Sequence, residues 1–228
     1  MDNFASFFDF DKTDLLGARS EAEKLSKDGC DTDQNARDGA RCDTFIWLPS
    51  HNTAVGDTNP SLKKIQRTME EFSMELNIIS QTGNGDRNLQ VDKEELQINR
   101  YNGASNKLQR YYRHKDNYYR DENNKLHGMS LRKITMVIFL NDNIDEVKAQ
   151  EDSRLGELRL YPNWENCEEV IDIVPRLGRA VLFRSEDMLH MVRPTLGYDN
   201  YAVTIYFTQV VHKILKPFPI PKEWSIFV

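Results

Sequence analysis

Three side chains with metal-binding chemistry stand out in this sequence: His114, Asp116 and His190. His114 and Asp116 lie two residues apart in YYRHKDN, and His190 follows much later, in LFRSEDMLHMVRP. If the first pair lies on a strand, its imidazole and carboxylate face the same side. Two histidines and one carboxylate form the facial triad that leaves coordination positions open on non-haem iron(II). Zinc hydrolases use similar ligands, so the residue types alone leave the metal undecided.

The elements that must position these residues begin with one strand and one helix. TFIWL at 44–48 is β-branched and aromatic, which is typical of a strand. Residues 61–81 form the clearest helical pattern, with Asn59 and Pro60 suited to its start. Its apolar residues recur at steps of three and four, which predicts one stripe that packs on a sheet: Leu62, Ile65, Met69, Phe72, Leu76 and Ile79.

From Glu95 onward the pattern changes to short strands separated by turns. Turn residues such as Gly103, Pro175 and Gly197 punctuate them, and helical periodicity is absent. Many short strands after a helix indicate a β-sandwich or small barrel flanked by helices. The predicted strands are 95–101, 134–140, 157–161, 169–174, 179–183 and 201–207.

Composition limits the partners and the location. The 30 Lys and Arg against 36 Asp and Glu give a net charge of −6, which argues against nucleic-acid binding through a basic surface. No apolar run is long enough to cross a membrane, and the acidic N-terminus does not resemble a signal peptide. We therefore expect a cytoplasmic or nuclear protein with neither nucleic acid nor membrane as partner. The 3 cysteines lack metal-binding spacing and predict reduced thiols.

The first 40 residues form a predicted extension. Residues 21–40 are polar and are interpreted as loop or disorder, and FASFFDF at 4–10 as a short docking helix. The predicted division is an N-terminal extension at 1–40 and one folded domain at 41–228.

A series of segments, in order, resembles the prolyl 4-hydroxylase superfamily of 2-oxoglutarate- and iron(II)-dependent oxygenases, especially its hypoxia-factor prolyl hydroxylase branch. The resemblance implies a double-stranded β-helix (jelly-roll or cupin-like) core, mostly β with flanking α, whose N-terminal helices pack on the major sheet. It extends from about residue 41 to residue 207. Its segments are RCDTFIWL, the helix at 61–81, INRYNG, YYRHKDN, RKITMVIFLND, GELRLYP, GRAVLFRSEDMLH and VRPTLGYDNYAVTIYF.

The resemblance also implies a role for individual residues. His114, Asp116 and His190 become the iron ligands and thereby the catalytic set. Arg132, with Asp43, becomes a pair at the entrance for a peptide substrate. The residues implied to surround the cosubstrate are Tyr101, Leu158, Val192, Asn200 and Thr204.

The implied reaction hydroxylates an unactivated C–H, with prolyl peptide or protein as the favoured substrate and a small molecule as the other. Iron(II), 2-oxoglutarate and dioxygen are the implied cofactors, and ascorbate is compatible with them. The protein is expected to act as a monomer.

One position departs from the family pattern. Members usually carry Arg or Lys about ten residues after the distal histidine, where it pairs with the far carboxylate of 2-oxoglutarate, but this chain has Asn200. Phe139 likewise replaces a family tyrosine. Another cation such as Arg132, Arg184 or Arg193 could compensate, the cosubstrate could differ, or turnover could be lost. The alternative functions are accordingly a catalytically impaired β-helix that binds metal and a ligand, and a zinc hydrolase.

Overall fold

The computed structural model describes two helices and thirteen strands. It covers residues 10–27, 42–48, 58–81, 89–104, 108–116, 118–120, 126–128, 132–142, 144–145, 154–163, 167–209 and 226–227. The helices are α1 (Lys12–Lys27) and α2 (Pro60–Gln81). The strands are β1 (Thr44–Leu48), β2 (Leu89–Tyr101), β3 (Gln109–His114), β4 (Tyr118–Arg120), β5 (Leu126–Gly128), β6 (Arg132–Phe139), β7 (Arg154–Leu155), β8 (Leu158–Tyr161), β9 (Ile171–Ile173), β10 (Ala180–Arg184), β11 (Leu189–Leu196), β12 (Asn200–Gln209) and β13 (Ile226–Phe227).

Two antiparallel sheets form the core, as the predicted double-stranded β-helix requires. The major sheet has the order β1-β2-β12-β6-β10-β13. The minor sheet has the order β3-β11-β8-β9, with β7 also paired to β11. Each of the six predicted strand segments coincides with a strand, and the predicted fold class is confirmed. The strands β3 and β11, which carry the histidines, had not been delimited in the sequence.

The major sheet separates two environments because neighbouring residues of a strand face opposite sides. On β2, Leu96 and Ile98 join the core that the helices cover, whereas Gln97 and Asn99 face the minor sheet. On β12, Val203 and Thr204 divide in the same way. The sheet therefore has an apolar face against the helices and a mixed face toward the interior of the barrel.

Helix α2 packs on this apolar face through Leu62, Ile65 and Met69, with Phe72 partly buried against the same core, which confirms this part of the predicted stripe. The side chains of Leu76 and Ile79 lie outside the described residues. Its first turn receives a carboxylate from α1: the backbone amides of Ser61 and Leu62 donate to Glu21 at 3.0 and 2.9 Å. A negative charge at this end satisfies free N–H groups and complements the helix dipole. Helix α1 is thus bound to the N–H groups at the start of α2 as well as to its apolar side.

Helix α1 corrects the interpretation of residues 21–27, which are helical and not loop. Its buried residues are Leu15, Ala18 and Ala22, and they belong to the same core cluster as α2 and the major sheet. The prediction failed because a stripe that consists largely of alanine has low hydrophobicity. The predicted loop at 28–40 and nearly all of FASFFDF lie outside the described residues. The division at residue 41 stays a prediction.

Neither described helix combines the length and hydrophobicity needed to cross a lipid bilayer.

Candidate metal centre

The fold brings the three predicted ligands together at one end of the barrel. His114 is the last residue of β3, Asp116 lies in the turn that follows, and His190 is the second residue of β11. His114 and His190 are direct partners across the β3–β11 pair. One ligand atom from each residue lies within 4.8 Å of the other two. The side chains of Asp116 and His190 are only 7% and 6% exposed, so the cluster is largely shielded from water.

Both imidazoles are oriented by backbone carbonyls. Nδ1 of His114 lies 2.8 Å from the oxygen of Tyr112, and Nδ1 of His190 lies 3.1 Å from the oxygen of Met188. Since a carbonyl oxygen can only accept, each Nδ1 carries the proton and each Nε2 keeps its lone pair. The two Nε2 atoms lie 3.4 and 3.6 Å from Oδ1 of Asp116. This is the arrangement that fixes the tautomer of metal-binding histidines.

The remaining carboxylate oxygen of Asp116 also has a partner. Oγ1 of Thr135 donates to Oδ2 of Asp116 at 2.7 Å and lies 2.9 Å from Oγ of Ser185. Thr135 and Ser185 are both fully buried. This bond orients the carboxylate so that Oδ1 faces the histidines. Neither hydroxyl is predicted from the sequence; the available signal is a single hydroxyl among the apolar residues of ITMVIFL.

The electrostatics favour the protonation states that metal binding needs. Burial tends to raise the pKa of the Asp116 carboxyl, but the two histidines and the hydrogen bond from Thr135 outweigh it and hold that pKa well below its usual value. Burial, together with the neighbouring His114, lowers the pKa of the His190 imidazole to about 4 despite the opposing effect of Asp116. At neutral pH the site therefore offers an ionised carboxylate and a neutral His190 imidazole.

A cavity extends from this cluster between the two sheets. Tyr101, Leu158, Val192 and Thr204, four of the five residues predicted to surround the cosubstrate, line it. The other lining residues are Gln97, Asn99, Tyr111, His114, Asp116, Thr135, Val137, Phe139, His190, Ala202 and Tyr206. Apolar walls from both sheets thus enclose a space whose polar groups are few and fixed in position.

The fifth predicted residue, Asn200, is placed differently. It is 1% exposed and is not among the described residues that line the cavity. Its Nδ2 donates to the backbone oxygen of Gly156 at 3.0 Å, and its Oδ1 accepts from Nδ2 of Asn141 at 2.9 Å. Gly156 has φ of 62°, and a Cβ there would lie 2.7 Å from the Asn200 amide nitrogen. Asn200 therefore joins β12 to the turn before β8.

Arg132 and Asp43, the predicted substrate pair, each contact a residue that lines the cavity. The guanidinium of Arg132 stacks on the ring of Tyr206, 3.6 Å from its centroid. Oδ2 of Asp43 accepts from Nδ2 of Asn99 at 3.2 Å. Both Tyr206 and Asn99 line the cavity. The structure thus places Arg132 and Asp43 just behind the cavity wall, and their role toward a substrate stays a prediction.

The other cations considered in the sequence lie elsewhere. Arg193 pairs with Asp172 at 3.2 Å, and Arg184 pairs with Asp187 at 2.6 Å. Val192 faces the cavity, and Arg193 forms its ion pairs outside that lining, as strand alternation predicted. Of the residues that the structure describes, no Lys or Arg lines the cavity.

The donor set fits iron(II): two imidazoles and one carboxylate from one side of the barrel, each oriented by a second partner. Residues 96–208 match the family model described as 2OG-Fe(II) oxygenase superfamily. The chain belongs to this superfamily. That membership makes it a 2-oxoglutarate- and iron(II)-dependent dioxygenase, and the resemblance found in the sequence is confirmed.

Two solved structures share the fold of this chain. A prolyl hydroxylase from Trichoplax adhaerens, in complex with a peptide fragment of the hypoxia inducible factor oxygen degradation domain, is 21% identical with a TM-score of 0.59, covering 86% of this chain and 79% of that chain. A prolyl-4-hydroxylase from Pseudomonas putida is 20% identical with a TM-score of 0.60, covering 87% of this chain and 88% of that chain. No curated protein sequence matches significantly.

Proposed function

We propose that this oxygenase hydroxylates a prolyl residue in a peptide or protein, with His114, Asp116 and His190 as the iron ligands. The observation that carries the proposal is the cluster of three ligand atoms within 4.8 Å at the cavity end. Every other nitrogen or oxygen of these three groups has a hydrogen-bond partner, so only the facing atoms are left for a metal. The substrate class is taken from the two prolyl hydroxylases that share the fold.

Iron(II) and 2-oxoglutarate, when bound, supply the activation of dioxygen, so that C–H, dioxygen and 2-oxoglutarate yield C–OH, succinate and carbon dioxide. The chain's own residues orient and shield the reactants. The Tyr112 and Met188 carbonyls hold the imidazoles, and Thr135 holds the carboxylate. Leu158 and Val192 form an apolar wall of the cavity, opposite Thr204, and exclude water from the keto acid.

A peptide would approach past an aromatic edge of the cavity. Trp47 is 36% exposed, and its ring lies 6.3 Å from that of Tyr206, which lines the cavity. Arg132 stacks on the same Tyr206 ring. Aromatic surfaces are the usual partners of prolyl rings, and a guanidinium suits peptide carbonyl or carboxylate groups. This edge therefore has the chemistry that a proline-containing peptide needs, with Arg132 and Asp43 close to its path.

The test combines metal-loaded protein, 2-oxoglutarate, air and ascorbate with a library of proline-containing peptides. Each peptide has a matched partner in which alanine replaces the proline. We expect succinate release and the addition of one oxygen atom to the peptide, both dependent on the proline, as measured by mass spectrometry. A Trp47→Ala variant should raise KM for the peptide and leave metal affinity unchanged.

The outcomes separate the possible functions. Succinate release without oxidation of any prolyl peptide would contradict the substrate class but not the oxygenase activity. Binding of iron(II) and 2-oxoglutarate without turnover on any substrate would indicate the catalytically impaired ligand-binding protein. Failure of the protein to bind iron(II) at all would contradict the proposed ligand set.

A further inference from the structure

The cavity contains a buried polar atom for which the described part of the chain supplies no hydrogen-bond partner. This atom is Nε2 of Gln97, on a residue that is 2% exposed and lines the cavity. A buried donor without an acceptor destabilises the folded protein, because it has lost its hydrogen bonds to water. Such groups in native structures call for an explanation, and one common explanation is a ligand that completes the bond.

The neighbouring hydrogen bonds establish that the free group is a donor. Oγ1 of Thr204 donates to Oδ1 of Asn99 at 2.9 Å. Nδ2 of Asn99 donates to Oδ2 of Asp43 and to Oε1 of Gln97, both at 3.2 Å. Because a carboxylate only accepts, the orientation of the Asn99 amide is determined, and with it the orientation of Gln97. We refer to Gln97, Asn99 and Thr204 as the amide cluster.

The amide cluster lies away from the metal ligands along the major sheet. Thr135, which contacts Asp116, pairs with Tyr206 on β12, whereas Gln97 pairs with Thr204, which in turn pairs with Val137. Val137 is two residues from Thr135 on β6, which corresponds to roughly 7 Å along a strand. A keto acid held by the metal and extending along the cavity therefore brings its far end toward the amide cluster.

The charge around this far end is unusual for a site that receives a dicarboxylate. No Lys or Arg is found among the described lining residues, and the amide cluster is uncharged. The carboxylate of Asp43 lies directly behind Asn99. A buried carboxylate is costly without a charged partner, and a nearby charge of the same sign adds to that cost. Burial of a neutral acceptor carries no such charge penalty, and an uncharged donor is enough to complete its hydrogen bond.

We infer that Gln97 donates to the far oxygen of the bound keto acid, and that the site recognises this oxygen as a hydrogen-bond acceptor rather than as a charge. The inference rests on the proposed metal site. It makes Gln97 a specificity-determining residue. It also predicts that 2-oxo acids with an uncharged carbonyl at the far end bind about as well as 2-oxoglutarate itself.

The experiment compares three keto acids on the iron(II)-loaded protein under anaerobic conditions. They are 2-oxoglutarate, its 5-methyl ester, and 2-oxopentanoate, which has no acceptor at the far end. The charge-transfer absorption of the iron–keto acid complex reports binding without turnover. We expect Kd values for 2-oxoglutarate and the ester that agree within about threefold, and a Kd for 2-oxopentanoate about tenfold higher, the fold-change of one hydrogen bond.

Variants at Gln97 separate the hydrogen bond from the charge. Gln97→Met keeps the size of the side chain but removes the donor. It should raise the Kd of the ester about tenfold and leave the Kd of 2-oxopentanoate unchanged. Gln97→Arg adds the missing cation and should shift the preference toward 2-oxoglutarate over the ester by at least about tenfold. Gln66→Met, on helix α2, makes the same chemical change away from the cavity and should alter no Kd.

The result that would overturn the inference needs no variant. A wild-type protein that binds 2-oxoglutarate about 100-fold more tightly than the ester must hold the far carboxylate with a cation. In that case the inference fails while the proposed function stands. Metal affinity is measured first, with Mn(II), so that absence of a metal site, which would overturn both proposals, is recognised separately.

Discussion

The two ends of the barrel cavity differ in how their polar groups are satisfied. At the metal end, Nδ1 of each histidine and Oδ2 of Asp116 all have protein partners, and only the facing atoms remain for a ligand. At the amide cluster, the corresponding network stops at Gln97, whose Nε2 has no partner among the residues that the structure describes. The first end presents its remaining atoms to a metal ion, and the second presents its remaining donor to an acceptor.

This difference indicates which features the fold provides and which the individual chain provides. At the metal end, backbone carbonyls orient both imidazoles beside a pair of adjacent strands, and Thr135 is the side chain that orients Asp116. The amide cluster depends entirely on side chains that face inward from β2 and β12. Specificity at the far end can therefore change through single substitutions without disturbing the metal end.

The largest expected effect is the loss of a ligand at the metal end. Asp116→Ala removes the carboxylate that both histidines face and should weaken Mn(II) binding more than about 100-fold, because even the loss of a residue behind a ligand costs 10- to 100-fold. Electron paramagnetic resonance of free Mn(II) measures this affinity. Asp145→Asn, at an exposed aspartate, serves as control. Equal affinity in both variants would refute the ligand set.

The next effect concerns the residue that orients this carboxylate. Thr135→Val keeps the shape but removes the hydrogen bond to Oδ2 of Asp116, and should weaken Mn(II) binding about 10- to 100-fold. Thr204→Val makes the same change in the amide cluster and should leave Mn(II) affinity within about twofold of the wild type. If both variants weakened Mn(II) binding equally, the two ends would be coupled, and the proposed independence of the metal end and the amide cluster would be wrong.

The convergence of His114, Asp116 and His190 was predictable from sequence, but the residues that support them were not. His114 and Asp116 are recognisable because their spacing and the later His190 match a known ligand pattern. Thr135 is ordinary in a strand, and only its inward direction and the close approach of Asp116 give it a role. Such a role depends on how distant segments meet, which a local pattern does not contain.

The fold shows the same limit. The strong apolar stripe of α2 predicted a helix correctly, because large side chains at regular steps are a strong signal. Helix α1 buries Ala18 and Ala22, whose small side chains give almost no signal, and half of it was interpreted as loop. The family position of Asn200 implies contact with the cosubstrate, which stays a prediction, and the sequence did not indicate that its side chain donates to the backbone oxygen of Gly156.

A third prediction tests this placement of Asn200 against that of Gln97. Asn200→Ala removes the donor to the buried Gly156 oxygen and one of the three acceptors of the Asn141 amide, and should lower the free energy of unfolding by about 1–3 kcal/mol. Urea denaturation of the metal-free protein measures this loss. The Kd values of the three keto acids should not change. Weaker keto acid binding at unchanged stability would instead show that Asn200 faces the ligand.

The smallest effect is expected one bond further from the metal. Because Thr135 donates its proton to Asp116, the Ser185 hydroxyl must be the donor in the Thr135–Ser185 contact. Ser185→Ala removes this second bond but leaves the first, so Mn(II) binding should weaken by less than about tenfold, as one neutral hydrogen bond would. If Ser185→Ala weakened Mn(II) binding as much as Thr135→Val, Thr135 would hold the carboxylate only when Ser185 fixes the rotamer of Thr135. The metal end would then depend on a chain of side chains, as the amide cluster does.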